Sequence, residues 1–352
     1  FNFNLFMIQY STNSSLKIIQ TMPNEESFEH FKNVPHQVYS REELESFQLH
    51  QLENKFLKVC LVVLDKEIPK ARVGIYFNPD LNSDGKVAAT LGAYESVDKK
   101  KYWKLILMES VKICKENGAF SIIGPMSGST WNDYRFMDNL NAHEDVFFGE
   151  TYNSKAYPNH FRAFGFKRAA SFYSFIDKNP EFRGIAVKES KLHFENNGVK
   201  IRSINLDSYL DELKKIHKFS NEVFSSNFLF SPITQKQFLD KFIPLQSIMD
   251  PRFVFLAEHN SELVGVVLCF HDYYSKNRKR LVIKTLARKK DNQYSGIGKM
   301  LSHMAVKNAR EQGYEDIIHA LMHGDNFSIN LSKNGMGEEF KNYSLFKIDI
   351  DK

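Results

Sequence analysis

The chain has 352 residues, enough for about two domains at roughly 100–200 residues each, and its 42% hydrophobic and 25% charged composition sets aside collagen-like, low-complexity and disordered chains. A mean hydropathy of −0.40, with no apolar run of about 18 residues, excludes a membrane-spanning helix. The net charge of +5 comes from 47 basic and 42 acidic side chains mixed along the chain, which lacks the concentrated basic face of a nucleic-acid binder but leaves local clusters for a small anionic ligand.

Residues 1–14 read as a leader or disordered segment, without the basic start or small-residue cleavage site of a signal peptide. A first alternation of strands and helices runs from about Leu16 to Asp177. Cys60 and Cys269 lie in apolar strand-like runs and Cys114 in a helical pattern. They read as buried thiols of a reducing compartment, which predicts a cytoplasmic protein, and no Cys/His cluster suggests a metal site. The polar stretch 179–197, with Pro180 and Gly184, reads as a connector, part of which could pair with a sheet edge.

The second half gives a strand at 199–204, helices at 206–224 and 234–245, and three β-rich runs at 253–258, 263–271 and 280–287. A helix follows at 297–312 and ends at Gly313, then a strand at 317–322, a short helix at 327–333 and a last strand at 343–348. Such alternation predicts an α/β fold of the α+β kind, a mixed sheet flanked by helices.

The two halves are related. Thr90-Leu91 recurs as Thr285-Leu286, 195 positions on, and the same offset matches Lys104 to Lys299, Gly118 to Gly313 and Ile122-Ile123 to Ile317-Ile318. Further along, Gly165 precedes Tyr173-Ser174 by eight residues, as Gly335 precedes Tyr343-Ser344, but the offset there is 170. The first copy therefore carries about 25 extra residues, assigned to 127–150.

The chemistry-bearing motif is Gln293-Tyr294-Ser295-Gly296-Ile297-Gly298, between a strand and a helix. Glycines let the backbone turn tightly and approach a ligand, and a helix N-terminus offers free N–H groups and a positive dipole end to a pyrophosphate. Arg288, Lys289, Lys290 and Lys299 add positive charge. An ordinary helix start after a loop accounts for the same residues equally well. The motif fits neither a Rossmann fingerprint nor a Walker A loop.

This segment resembles motif A of the GNAT superfamily of acetyl-CoA-dependent N-acetyltransferases, with Gln293, Gly296 and Gly298 at its signature positions. The whole chain from about Leu16 to Asp351 is similar to tandem GNAT proteins, with Gly124-Pro125-Met126 ending a strand of the first half and Tyr152-Asn153 and Tyr157-Pro158 following. The resemblance implies two GNAT-like domains, a degenerate one at 15–178 and an intact one at 198–352. It implies acyl transfer, acetyl first, from CoA to an amine on a small molecule or peptide. Backbone groups of Leu286, Ala287 and Arg288 would meet the pantetheine, and those of Tyr294, Ser295, Gly296, Ile297, Gly298 and Lys299 the pyrophosphate. Gln293 belongs to the same loop, and Asn326 or Ser328 would reach the cofactor.

In the first copy Lys101 and Trp103 stand at the positions of Gly296 and Gly298, so that copy is expected not to bind CoA in the usual way. The run Lys99-Lys100-Lys101 reads as a solvated face. Many GNAT enzymes place a Tyr acid four residues before the Gly that ends the short helix; here that position is Leu331, ahead of Gly335. Ser328, Ser332 and Tyr343 are the substitutes, although Tyr343 matches Tyr173 in the degenerate copy, which favours a structural role. His319 and His323 are the candidate bases, because an imidazole titrates near neutral pH; a sheet-packing role for His319 stands beside that reading. His303 reads as packing. The polar-aromatic loop 127–135 either lines an acceptor pocket or is a surface loop anchored by Trp131. Two other classes fit the chain, a Fem-type aminoacyltransferase and a non-catalytic CoA-binding module.

Overall fold

The computed structural model describes residues 15–83, 85–138, 145–178, 184–325, 329 and 337–350. The expected leader and nearly all of the expected short helix at 327–333 lie outside the described residues.

The first half comprises β1 (Leu16–Thr21), α1 (Phe28–Asn33), α2 (Arg41–Ser46), β2 (Leu57–Asp65), β3 (Ile68–Tyr76), β4 (Asn82–Ser83), β5 (Lys86–Ser96), α3 (Lys100–Glu116), β6 (Ser121–Gly124), β7 (Phe136–Met137), α4 (Tyr157–Phe164) and β8 (Lys167–Lys178). Then come α5 (Gly184–Asn196), β9 (Val199–Ser203), α6 (Tyr209–Val223), α7 (Gln235–Phe242), β10 (Val254–His259), β11 (Glu262–His271), β12 (Arg280–Arg288), α8 (Ile297–Glu311), β13 (Asp316–His323) and β14 (Glu338–Asp349).

Local chemistry explains these boundaries. Thr234 accepts the Gln237 N–H, and the Gln237 side chain returns to the Thr234 N–H, a capping box that starts α7. Helix α8 buries Ile297, Met300, Leu301, Ala305 and Ala309 at helical spacing, and its opposite face is solvated. The expected connector is largely helical: α5 buries Phe194 in the core beneath α8, an anchor that overrides the polar composition.

All strands belong to one sheet, ordered β1-β2-β3-β5-β6-β14-β8-β13-β12-β11-β10-β9 along its main path. The two central strands are exchanged. β14, from the end of the chain, pairs with β6 of the first half, and β8, the last strand of the first half, pairs with β13 of the second. They also pair with each other. Each half thus supplies the strand that continues the other's sheet.

Separate apolar cores cover the faces. One lies under α3 and α4 in the first half, one under α5 and α8 in the second, and a third joins α6 and α7 to the opposite face of β10–β12. Trp131 and Phe148, from the 127–150 insertion of the first half, pack on that third core. The insertion therefore forms a wall beside the second half.

Candidate functional site

β12 and β13 run parallel and pair from Arg280↔Asp316 to Ile283↔His319. Among the described residues no ladder joins them beyond that pair. At this point β12 bulges: Leu268 of β11 faces Thr285 and Cys269 faces Ile283, which leaves Lys284 as the extra residue. A bulge bends its strand and sharpens its twist, so β12 turns away and the sheet opens as a fork. β12 keeps its antiparallel pairing with β11 as far as Arg288, and the Lys289 N–H continues it to the Val264 carbonyl at 2.9 Å. Alternation along the strand then turns the backbone groups of Ala287 toward β11 and those of Leu286 and Arg288 toward the fork.

The glycine loop stands beside the fork. Asp291 accepts the Gln293 N–H at 3.0 Å and the Gln293 side-chain amide at 3.0 Å, fixing a short 3-10 turn over Asn292–Tyr294. The N–H groups of Tyr294 and Ser295 bond back to Asp291 and Asn292 within this turn. The Tyr294 ring is buried and its hydroxyl meets His259 Nδ1 at 2.9 Å, so this side chain anchors the loop. The first bond into α8 runs from the Met300 N–H to the Gly296 carbonyl at 3.0 Å, and the N–H groups from Gly296 to Lys299 have no acceptor among the described residues.

The two glycines differ in kind. Gly296, at φ +93°, occupies the left-handed region that a side chain disfavours. Gly298 has ordinary helical backbone, and a Cβ there would touch only Leu286, at 3.8 Å. Packing gives no reason for glycine at 298; an open surface over the N–H groups does. Of the basic flank, Lys289 is paired with Glu222 and Glu262, Lys290 reaches Ser226, and Arg288 folds onto the carbonyls of Lys289 and Asp291. Lys299 is exposed and makes no ion pair among the described residues.

The candidate acid–base groups are dispersed. His319 lies near His303 of α8; burial, and then that neighbour, hold its pKa down at about 4. His323 ends β13 on the far side of the fork, half-buried, edge-on to Phe172 at 5.1 Å and beside Phe228 of the α6–α7 loop at 5.7 Å. Its Nδ1 accepts the Asp325 N–H at 3.2 Å, and burial lowers its pKa. Tyr343 is buried under the insertion, donating to Glu150 and lying 3.1 Å from the Ser174 hydroxyl, with its pKa raised well above the usual phenol value by burial. Asn326, Ser328, Leu331, Ser332 and Gly335 lie outside the described residues.

Two residues that sequence reasoning passed over face the fork from the insertion side. The Lys284 ammonium donates to the Gly149 carbonyl at 2.5 Å. Burial, and next the Arg135 guanidinium, push its pKa down to about 8 against the attraction of Asp133 and Glu150. Arg135 donates through Nη1 to the carbonyl of Leu321, on the opposite prong, at 3.1 Å. Its guanidinium covers the rings of Tyr134 and Phe172 at 3.8 and 4.5 Å. The available signal was a single cation in the middle of an apolar strand, Lys284 between Ile283 and Leu286.

The 127–135 loop does line a cavity, of about 300 Å³, between the halves. Ser129, Trp131 and Asn132 face Ile233 and Gln237 across it, and the Trp131 indole N–H is tied to the Ser231 carbonyl at 2.9 Å. Trp131 therefore both anchors the loop and lines this space.

The first half has the same parallel pairing, ending at Thr90↔Ile123, but its fork is closed. The Met126 N–H bonds the Leu91 carbonyl at 2.6 Å. A Cβ on Gly92 would come within 2.6 Å of the Ser127 Cα, so backbone fills the opening. Helix α3 starts at Lys100, and Trp103 in its first turns is buried and stacked on His160 at 5.2 Å. Lys101 pairs with Asp65 at 2.6 Å, while Lys99 and Lys100 are solvated. The Tyr157 hydroxyl is bound to buried Glu95 at 2.6 Å.

Among the described residues, no group of three or more His, Cys, Asp or Glu side chains could hold a metal, and no helix is long and apolar enough to cross a membrane. The three cysteines are buried and unpaired, and burial raises each thiol's pKa.

A strand fork beside a glycine-opened helix defines a class, and sequence comparison agrees: residues 214–337 match the sequence model of the Acetyltransferase (GNAT) family. Residues 214–337 thus carry a GNAT-family match, and the likeness of fold to GNAT structures extends over nearly the whole chain. A GCN5-related N-acetyltransferase from Sphaerobacter thermophilus is similar at 10% identity and a TM-score of 0.51, with 96% of each chain covered. A tandem GNAT protein from the clavulanic acid biosynthesis pathway is similar at 8% identity and a TM-score of 0.52, over 96% of this chain and 99% of that one. The GCN5-related glucosamine N-acetyltransferase region of a fungal multi-domain β-N-acetylglucosaminidase is similar at 10% identity and a TM-score of 0.57 over 95% of this chain, which spans 38% of that protein. At these identities the likeness is one of fold. No curated protein matches the chain by sequence.

Proposed function

We propose that the protein is an acyl-CoA-dependent N-acyltransferase, acetyl-CoA the first donor to test, with its site in the second half at the β12–β13 fork. The supporting observation is the fork itself. Leu286 and Arg288 turn backbone groups into it, where they would pair with the pantetheine amides, and the N–H groups of Gly296, Ile297, Gly298 and Lys299 lie beside it for the pyrophosphate. The first half, 15–178, has a closed fork and acts as a wall for the acceptor.

Bound acyl-CoA would supply the thioester, and CoA would leave as its thiol. The acceptor nitrogen forms the C–N bond as the C–S bond breaks, and the nitrogen must lose a proton. His323 is the base of this reading, since it lies beyond the fork next to the α6–α7 loop, whereas His319 faces α8 with a pKa of about 4. Tyr343 stays bound to Glu150 and serves the fold.

The first test is a thermal-shift titration with acetyl-CoA, CoA, longer acyl-CoAs and NAD as the control. Ligand at 100 times its dissociation constant stabilises the folded state by about 2.7 kcal/mol. A shift specific to CoA compounds supports the reading, and none with any of them sinks it. A shift without turnover on a broad amine panel would favour the CoA-binding module. For a transferring enzyme, His323→Gln should lower kcat/KM by about a hundredfold or more. It should also remove an acid limb lying below the usual histidine range, because burial lowers this pKa. A variant that keeps that limb would pass the base role to water.

A further inference from the structure

The insertion side of the fork carries two cations that make no ion pair among the described residues. Lys284 is the bulged residue at which β12 leaves β13, and its ammonium is held by the carbonyl of Gly149. Arg135 reaches the other prong through the Leu321 carbonyl, spends Nε on the neighbouring Tyr134 carbonyl, and leaves Nη2 without an acceptor among the described residues. The carboxylates around them are committed elsewhere. Asp133 accepts the Gln51 N–H at 2.8 Å and the Thr151 hydroxyl at 3.0 Å. Glu150 binds Lys341 at 2.7 Å and also takes the Tyr343 hydroxyl. Among the described residues neither cation makes an ion pair. Cations sheltered from water and left unpaired cost the fold stability, so this pair has a use when an anion arrives.

We propose that Lys284 and Arg135 form an anion subsite on the acceptor side of the fork, so that the acceptor is an amine that also carries a carboxylate or phosphate. This rests on the acyltransferase reading for its place in a reaction, and on the two unpaired cations for its chemistry. A planar guanidinium stacked on Tyr134 and Phe172 is held rigidly enough to offer an oriented donor. Lys284 supplies a point charge from the facing prong. An acid group fixed between the prongs would hold the amine of the same molecule near the thioester, whereas a simple alkylamine would have no such anchor.

The test uses the full chain and matched ligand pairs. Amino acids are compared with their primary amides, and O-phosphoethanolamine with ethanolamine, by thiol release from acetyl-CoA. N-acetylated amino acids and their amides are compared by thermal shift in the presence of CoA. The acidic member of at least one pair should be preferred by about tenfold to a hundredfold, and the preferred pair distinguishes carboxylate from phosphate. Lys284→Met should collapse the preference without changing the shift given by CoA alone, and Arg135→Lys, which keeps the charge, should retain only part of it. No acid preference in the wild-type chain, or a preference unchanged in Lys284→Met, overturns the subsite. If CoA binds and amines turn over without acid preference, the subsite falls and the transferase reading stands. If N-acetylated acids outbind their amides while no amine turns over, the subsite stands and the transferase reading falls.

Discussion

A Gly298→Trp chain should fold with little change in stability and lose the rise in melting temperature that CoA gives the wild-type chain. The expectation follows from the space around Gly298. A Cβ there would meet Leu286 at 3.8 Å, which is ordinary contact, and the backbone is not in the left-handed region. The conservative Gly298→Ala should gain up to about 1 kcal/mol from helix propensity. An indole at 298 would instead cover the N–H groups of the first turn of α8. The loss should amount to the whole ligand contribution, about 2.7 kcal/mol at 100 times the wild-type dissociation constant. Gly296 is a poorer probe, since its φ of +93° makes any side chain a strain on the loop as well as an obstacle to the ligand. A Gly298→Trp chain that melts normally and still responds fully to CoA would remove the helix start from the cofactor site.

The second half was legible because each element carried its own local signal. The apolar spacing of 297–312 gives α8, Thr234 with Gln237 gives the start of α7, and three β-rich runs give β10, β11 and β12. The repeat showed a lysine and an indole in the first half where the second has glycines, but the closure seen there is made by backbone at the fork, where Met126 and Ser127 fill the space beside Leu91 and Gly92, and the letters do not show it. What stayed hidden depends on partners far along the chain. Nothing in the pattern of β14 says that it pairs with β6 rather than closing its own half. The eight-residue spacing that singled out Tyr343 could not reveal Glu150, 193 positions away, which takes its hydroxyl. Stretch 179–197 looked like a connector by composition, but Phe194 brings it into the core beside α8. Lys284 and Arg135 were illegible as a pair, because the fork that brings them together is a departure from strand pairing and not a motif.

The exchanged strands lead to the other large expected effect, a loss of about 3–5 kcal/mol in Lys341→Met. Lys341 is 0% exposed and lies on β14, with its ammonium 2.7 Å from a Glu150 carboxylate that is itself 1% exposed. The rings of Phe340 and Phe147 lie 5.2 and 5.6 Å from it. Glu150 also takes the Tyr343 hydroxyl, which meets Ser174 of β8, and Ser174 in turn accepts the Leu321 N–H of β13 at 3.0 Å. One network thus ties the insertion to three central strands. Methionine fills most of the lysine's volume, so the loss comes mainly from a carboxylate left in the interior without its cation. Tyr343→Phe removes one donor to that charge and should cost less, about 1.5–3 kcal/mol. The double change Lys341→Met with Glu150→Leu should recover most of the deficit, because an apolar pair of similar volume avoids the desolvation cost. Because β14 sits between β6 and β8, these losses should act on both halves in a single urea transition. In a Trp131→Phe background Trp103 reports the first half, and its fluorescence should then change together with the far-ultraviolet circular dichroism of the whole chain. Separate midpoints for the two signals would mean that the halves unfold independently despite the exchange, and a Lys341→Met chain as stable as wild type would mean that Glu150 finds its proton or its partner elsewhere.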